Sequence, residues 1–235
     1  MNLYDLVSRI SIGVMRSDLA PLYPSFVNEA LTYIQQQRSW LVMKANGIFR
    51  MANGASAVNL DVDEDGLVTR FKELTLGKSP VHLRGNDLVL TPCEVWPREK
   101  ILRRQARLIS NSLLYSVYSH PNTTRRVSIP VWVQWTRNPA SMESVPSLQI
   151  LFKATSDLPF DITYYGFLPD LEVDDDSNFF TDRLGEMVLA KAKALAFAAI
   201  NDPATADFEK LYEAKFAAAA AQDAYQAVAG LELRM

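Results

Sequence analysis

The sequence predicts an α+β protein in which N- and C-terminal helices form a four-helix bundle that carries an inserted antiparallel β-rich domain. Three stretches of different grammar predict it. Residues 1–40 place apolar side chains at helical spacing in two runs. Residues 41–166 break into short runs rich in β-branched and aromatic residues, separated by turn pairs. Residues 167–235 return to the helical period and are rich in alanine. The domains that follow are 1–40, the N-terminal helices of the bundle; 41–166, the β-rich insert; and 167–235, the C-terminal helices and tail.

The first helix rests on Leu3, Leu6, Val7, Ile10 and Val14, which share one side of a 3.6-residue repeat while Asp5 and Arg9 stand off it. A break at 17–24 carries two prolines. Phe26, Ala30, Tyr33, Ile34 and Leu41 then repeat the helical spacing, with Pro24 or Ser25 placed to open the second helix. In the middle, Asn46-Gly47, Asn53-Gly54, Asp65-Gly66 and Gly85-Asn86 punctuate the strands. Residues 127–135 and 148–152 read as paired strands, with Pro130 marking an edge or a bulge. Pro97, Ile101, Leu102, Gln105 and Leu108 permit a short basic helix at 97–109. Phe180, Leu184, Met187, Val188, Leu195 and Ala199 define a long third helix. Asn201-Asp202-Pro203 ends it and starts a fourth, whose buried face is read as Phe208, Leu211, Tyr212, Phe216 and Ala219. The alanine run 217–221 suits close helix packing, since small side chains let backbones approach. Isolated helices of this length are marginal in water. Two at each end therefore bury their stripes against one another or against the sheet.

Composition narrows the class. Apolar residues make up 49% and charged residues 22% of 235, ordinary globular usage, so disorder and low complexity fall away. Cys93 is the single cysteine, which excludes an internal disulfide and suits a reducing compartment. No run of about 18 apolar residues is present to span a membrane. Asp5, Arg9 and Arg16 interrupt the first residues, so the pattern predicts a chain that is not exported. The net charge of −3 is uneven: residues 170–235 carry 6 Lys/Arg against 13 Asp/Glu, and residues 1–169 carry 18 against 14.

Candidate chemistry is sparse. Asp61, Asp63, Asp65 and Gly66 match the opening of a calcium-binding EF-hand loop, but its twelfth position is Lys72 where a bidentate glutamate is required. These are weak metal candidates, and an acidic hairpin turn is the favoured reading. His82 and His120 lack carboxylates at metal-ligand spacing and lack a nucleophile beside them. Cys93 follows an apolar strand and reads as a small buried hydrophobe. No phosphate-cradling glycine pattern occurs among nine glycines. The expectation is a structural protein without cofactor or catalytic residues. Arg98, Lys100, Arg103, Arg104 and Arg107 form the densest basic run, and in a helix 100, 103, 104 and 107 share a face able to meet phosphates or an acidic neighbour. A solvated face explains them equally. Asp174, Asp175 and Asp176 precede the third helix, where negative charge suits the helix dipole, and capping is the preferred reading.

Tyr4-Asp5-Leu6-Val7, Arg16-Ser17-Asp18-Leu19 and the helix of Pro24, Phe26, Val27 and Ala30 resemble the start of tailed-phage head-to-tail adaptor proteins. Ile162-Thr163-Tyr164-Tyr165, Leu168-Pro169, the Asp-rich loop with Ser177-Asn178-Phe179 and the alanine-rich helix reaching Asn201-Asp202-Pro203 resemble the close of the same family. The two ends carry the likeness, and the long middle departs from the compact members. The resemblance implies a connector protomer in a ring, usually of twelve subunits, at the virion neck, assembled in the host cytoplasm. Such a ring docks under the portal protein, continues the channel for genomic dsDNA and receives tail nozzle or tube proteins. It also implies a portal contact at the tail, Leu231, Glu232, Leu233, Arg234 and Met235. The basic run at 98–107 becomes a channel or interface feature. Two alternatives stand: another neck or tail component, such as a tail-completion or nozzle subunit, and a nucleic-acid-binding accessory protein using that basic run.

Overall fold

The computed structural model describes residues 1–75, 79–84, 90–97, 129–137, 144–151 and 153–232. The chain divides into two units, Met1–Met43 with Phe167–Met235, and Lys44–Gly166. The expected basic helix at 97–109 lies outside the described residues from position 98 onward.

The first unit is helical. Helix α1 is Leu3–Val14, with Leu3, Leu6, Ile10 and Val14 buried as its stripe predicts and Val7 at the edge. A 3-10 segment, Ser17–Leu22, leads into α2, Tyr23–Gln37, whose second position is Pro24, where a missing N–H costs nothing. The inward face of α2 is Tyr23, Val27, Ala30, Leu31, Ile34 and Gln35. That face is rotated from the one expected. Phe26 is half-buried and Tyr33 is exposed, because an aromatic ring at the border covers the core with its flank. Leu41 is not helical with α2 but sits in the 3-10 turn Leu41–Met43. The break comes at Arg38, which is extended.

Helix α3, Phe179–Ala198, exposes Asp182, Arg183 and Glu186 near its start but has no exposed residue from Met187 to Phe197, where Met187, Val188, Ala190, Ala192, Ala194 and Ala196 are all buried. A stretch of helix covered on every side belongs in an interior. Here α1, α2 and α4, Thr205–Glu232, pack on it, completing the four-helix arrangement. Asn201, in the left-handed region at φ 53°, makes the turn between α3 and α4, and Phe197 stacks on Phe208 across it with centroids 5.3 Å apart. Asp202 accepts from the Ala204 amide at 2.8 Å, so it anchors the turn that opens α4.

Trp40 joins the pieces. It is 1% exposed, its ring N–H donates to Ile34 O at 3.2 Å, and its ring meets Phe180 of α3 and Phe216 of α4 edge-on at 5.6 and 5.5 Å.

The second unit holds two sheets. Strand β9, Leu158–Gly166, is the middle of the first, burying Phe160, Ile162, Tyr164 and Gly166 at every second position. Strand β1, Lys44–Met51, runs antiparallel along one edge of β9. On the other edge lie β3, Phe71–Leu74, and β4, Val81–Arg84, with β5, Leu90–Pro92, beyond β4. The second sheet orders β2, Ala57–Asn59; β8, Ser144–Ile150; β7, Pro130–Arg137; and β6, Glu94–Val95. Phe49, Met51, Leu60, Phe71, Val131, Leu148, Phe160 and Ile162 form the shared core. Pro130 is not at an edge: β7 lies between β8 and β6, and the proline is tolerated because it is the first residue of its strand.

Trp40→Ala is expected to cost about 3–5 kcal/mol, the range for emptying a buried aromatic site. Urea unfolding of the variant measures it, and a loss under about 1 kcal/mol would contradict the role given to this ring.

Candidate interaction surfaces

In the helical unit, the acidic loop before α3 serves α1. The first amides of a helix lack partners inside it. In α1 the Leu3 and Tyr4 amides donate to the backbone carbonyls of Asp176 and Asp174, both at 3.0 Å. The Asp5 amide donates to Asn2 Oδ1 at 2.9 Å and the Leu6 amide to Asn2 O at 3.2 Å. The capping of α3 expected from Asp174–Asp176 is corrected. Helix α3 is capped by Asn178, whose Oδ1 accepts from the Phe180 and Thr181 amides at 3.0 and 3.2 Å. The Asp176 carboxylate is turned back into its own loop, accepting from the Glu172 and Val173 amides at 2.7 and 2.9 Å.

Two polar clusters fasten α4. Asp223 Oδ2 accepts from Arg38 Nη2 and Nε at 3.1 and 3.3 Å, and its Oδ1 accepts from the Leu41 amide at 3.0 Å. Lys191, buried on α3, donates to Glu209 Oε1 at 2.7 Å with its Nζ 3.9 Å from the centroid of the Tyr33 ring and 5.3 Å from that of Tyr212. Burial, more than the neighbouring charges, pushes the Tyr212 hydroxyl pKa up, so this phenol stays neutral beside Glu209.

The outer face of α4 has a different character. Leu211, Ala214, Ala217, Ala218, Ala221, Ala224, Tyr225 and Val228 are exposed. Between residues 216 and 228 the only charged side chain is Asp223, and it is held by Arg38. Leu211, expected on the buried face, is 44% exposed, and the alanine run buries only Ala219. Those alanines face solvent because Tyr212, Phe216 and Ala219 fill the inward positions of the same turns. Of the expected portal contact, Leu231 and Glu232 form the last turn of α4, while Leu233, Arg234 and Met235 lie outside the described residues. Arg98, Lys100, Arg103, Arg104 and Arg107 lie outside them too, as does His120.

In the β unit, the Asp61–Gly66 segment is a hairpin turn. Asp63 Oδ1 accepts from the Asp65 and Leu67 amides at 3.0 and 2.9 Å, Asp61 Oδ1 accepts from the Val62 amide at 3.0 Å, and Gly66 takes the left-handed conformation at φ 81°. One oxygen of each of the Asp61 and Asp63 carboxylates thus serves this backbone. Among the described residues no group of three His, Cys, Asp or Glu side chains gathers to hold a metal ion. His82 lies in β4, paired across the sheet with Pro92 and Asp161. Cys93 is buried and its thiol is pushed up to about 12 by burial, which suits the packing role read for it. No helix among the described residues is long and apolar enough to cross a membrane.

No family model matches the chain, and no curated protein matches it.

The side chains that sequence reasoning missed are Lys191, Asp223 and the outer stripe of α4. Lys191 shares the apolar stretch 187–197 with Lys193, and nothing in the sequence sets it apart from that neighbour.

The amides of Val173 and Glu172 hold the Asp176 carboxyl below its ordinary value. With the folded pKa below the unfolded one, its stabilisation is complete above the unfolded value of about 3.9 and disappears as pH falls through the folded value. Asp176→Asn is therefore expected to be less stable than the wild type near neutrality and to lose stability less steeply below about pH 4. Urea unfolding at stepped pH measures this, and parallel acid limbs would contradict it.

Proposed function

We propose that the chain is a structural protomer, not an enzyme, of a head-to-tail adaptor ring at the neck of a tailed phage virion. One observation carries the reading. The two ends of the sequence, which bear most of the resemblance to that family, build a single helical unit around α3, while the β unit is inserted between them. Most of the likeness therefore belongs to one folded body, and Ile162-Thr163-Tyr164-Tyr165 falls in β9 of the other.

In this reading the helical unit is the ring-forming core, with twelve copies beneath the portal protein and dsDNA passing through the channel. A closed ring of like-oriented subunits needs two different faces on each protomer. Ile12 and Met15 at the end of α1, 70% and 82% exposed, supply part of one. The end of α4 with residues 231–235 meets the portal. The β unit receives tail nozzle or tube proteins. Its hairpin at 61–66 brings an apolar fringe, Val62, Leu67 and Val68, all exposed, beside its acidic residues.

The test is composition and contact. Purified virions are expected to contain the protein at about ring stoichiometry, and it should remain with the portal when capsids are opened. Removal of residues 231–235 should abolish that retention without changing the far-UV circular dichroism of the free protein. Absence from virions, or retention with tail tubes and never with portals, would overturn the proposal.

A further inference from the structure

We infer that two copies of the free protein pair through the outer face of α4, the helices lying antiparallel. Leu211, Ala214, Ala218, Ala221, Tyr225 and Val228 follow one another in alternating steps of three and four residues, the spacing of a coiled-coil seam. All six are exposed, Tyr225 to 75% and Val228 to 56%. The opposite side of the helix, Tyr212, Phe216 and Ala219, is already used within the subunit. The free seam therefore fits a second helix from outside.

The occupant follows from the pattern. The steps read the same in both directions, so a copy of α4 reversed about the midpoint of Ala218 and Ala221 meets the first in register. Ala218 then faces Ala221, each Tyr225 faces the small Ala214, and each Leu211 faces Val228. Every layer is filled, and no two large rings compete for one position. Charge selects the orientation. A parallel pair would set Lys210 of one copy beside Lys215 of the other, a like-charge contact at the flanking positions that decide coiled-coil pairing. The antiparallel pair sets Lys215 beside Gln222, and Asp223 remains with its own Arg38. A seam of this length covers roughly 400 Å² on each copy, about half of a standard interface side, so the pair is reversible. A two-fold contact does not link successive subunits of a ring that all point one way. The pair is therefore a state of the free protein, one that shields the apolar face before assembly.

Sedimentation equilibrium of the full chain over about 5–500 µM should show a monomer–dimer equilibrium. Ala218→Glu, an exposed change to a good helix former, should keep the wild-type circular dichroism, and also the melting temperature at concentrations where the wild type is monomeric. It should weaken the dimer by about a hundredfold or more, because the pair would bury an unpaired carboxylate. Orientation is read by oxidative cross-linking. A mixture of Ala218→Cys and Ala221→Cys chains should join readily, and Leu211→Cys chains should not join to themselves. A wild-type chain that stays monomeric throughout, which would leave the face to another partner, overturns the inference. So do a larger closed species, an Ala218→Glu chain that pairs as well as the wild type, and preferential self-linking at position 211.

Discussion

Helix α3 has to be enclosed. From Met187 to Phe197 no residue is exposed, and apart from Lys191 and Lys193 all are apolar, so no single neighbouring helix can cover it. The cover is drawn from both ends of the sequence, with α1 and α2 from one and α4 from the other. This requirement explains why Leu3 and Asp176, far apart in the chain, share a hydrogen bond, and why Trp40 reaches both Phe180 and Phe216. It also explains Lys191. A cation inside such a helix would be costly unless compensated, and Glu209 and the Tyr33 ring compensate it.

The arrangement of helices around a β-rich middle was legible because each element obeys a simple period. Leu3, Leu6, Ile10 and Val14 announce α1, and Asp202-Pro203 announces the turn into α4. Finer features were less legible. For α2 the choice of inward face turned on Phe26 and Tyr33, whose aromatic rings satisfy a helical period while lying at the boundary. In α4 the alanine run carries no direction of its own, since alanine fits a tight interface and an open surface equally. The Asp174–Asp176 run looked like a helix cap because of its position; Asn178, two residues closer, reaches the amides directly. Lys191 and Asp223 were invisible because their partners stand 18 and 185 residues away in sequence.

The same physics separates the two faces of α4. Inward, the Tyr212 ring meets Tyr33 of α2, Glu209 accepts from Lys191 of α3, and Asp223 holds Arg38 just past the end of α2. Outward, a long stretch with no free charge faces solvent, which monomeric proteins seldom leave uncovered. In the β unit, the Asp63 carboxylate accepts the amides of Asp65 and Leu67 and closes the hairpin.

Amide hydrogen exchange on the full chain tests the central claim, that both ends fold as one unit about α3. The account predicts that α1 and α2 share their slowest protection with α3, so that residues 3–37 and 179–198 open together under mild denaturant. Exchange of residues 3–37 at far lower free energy, with α3 and α4 still protected, would contradict it.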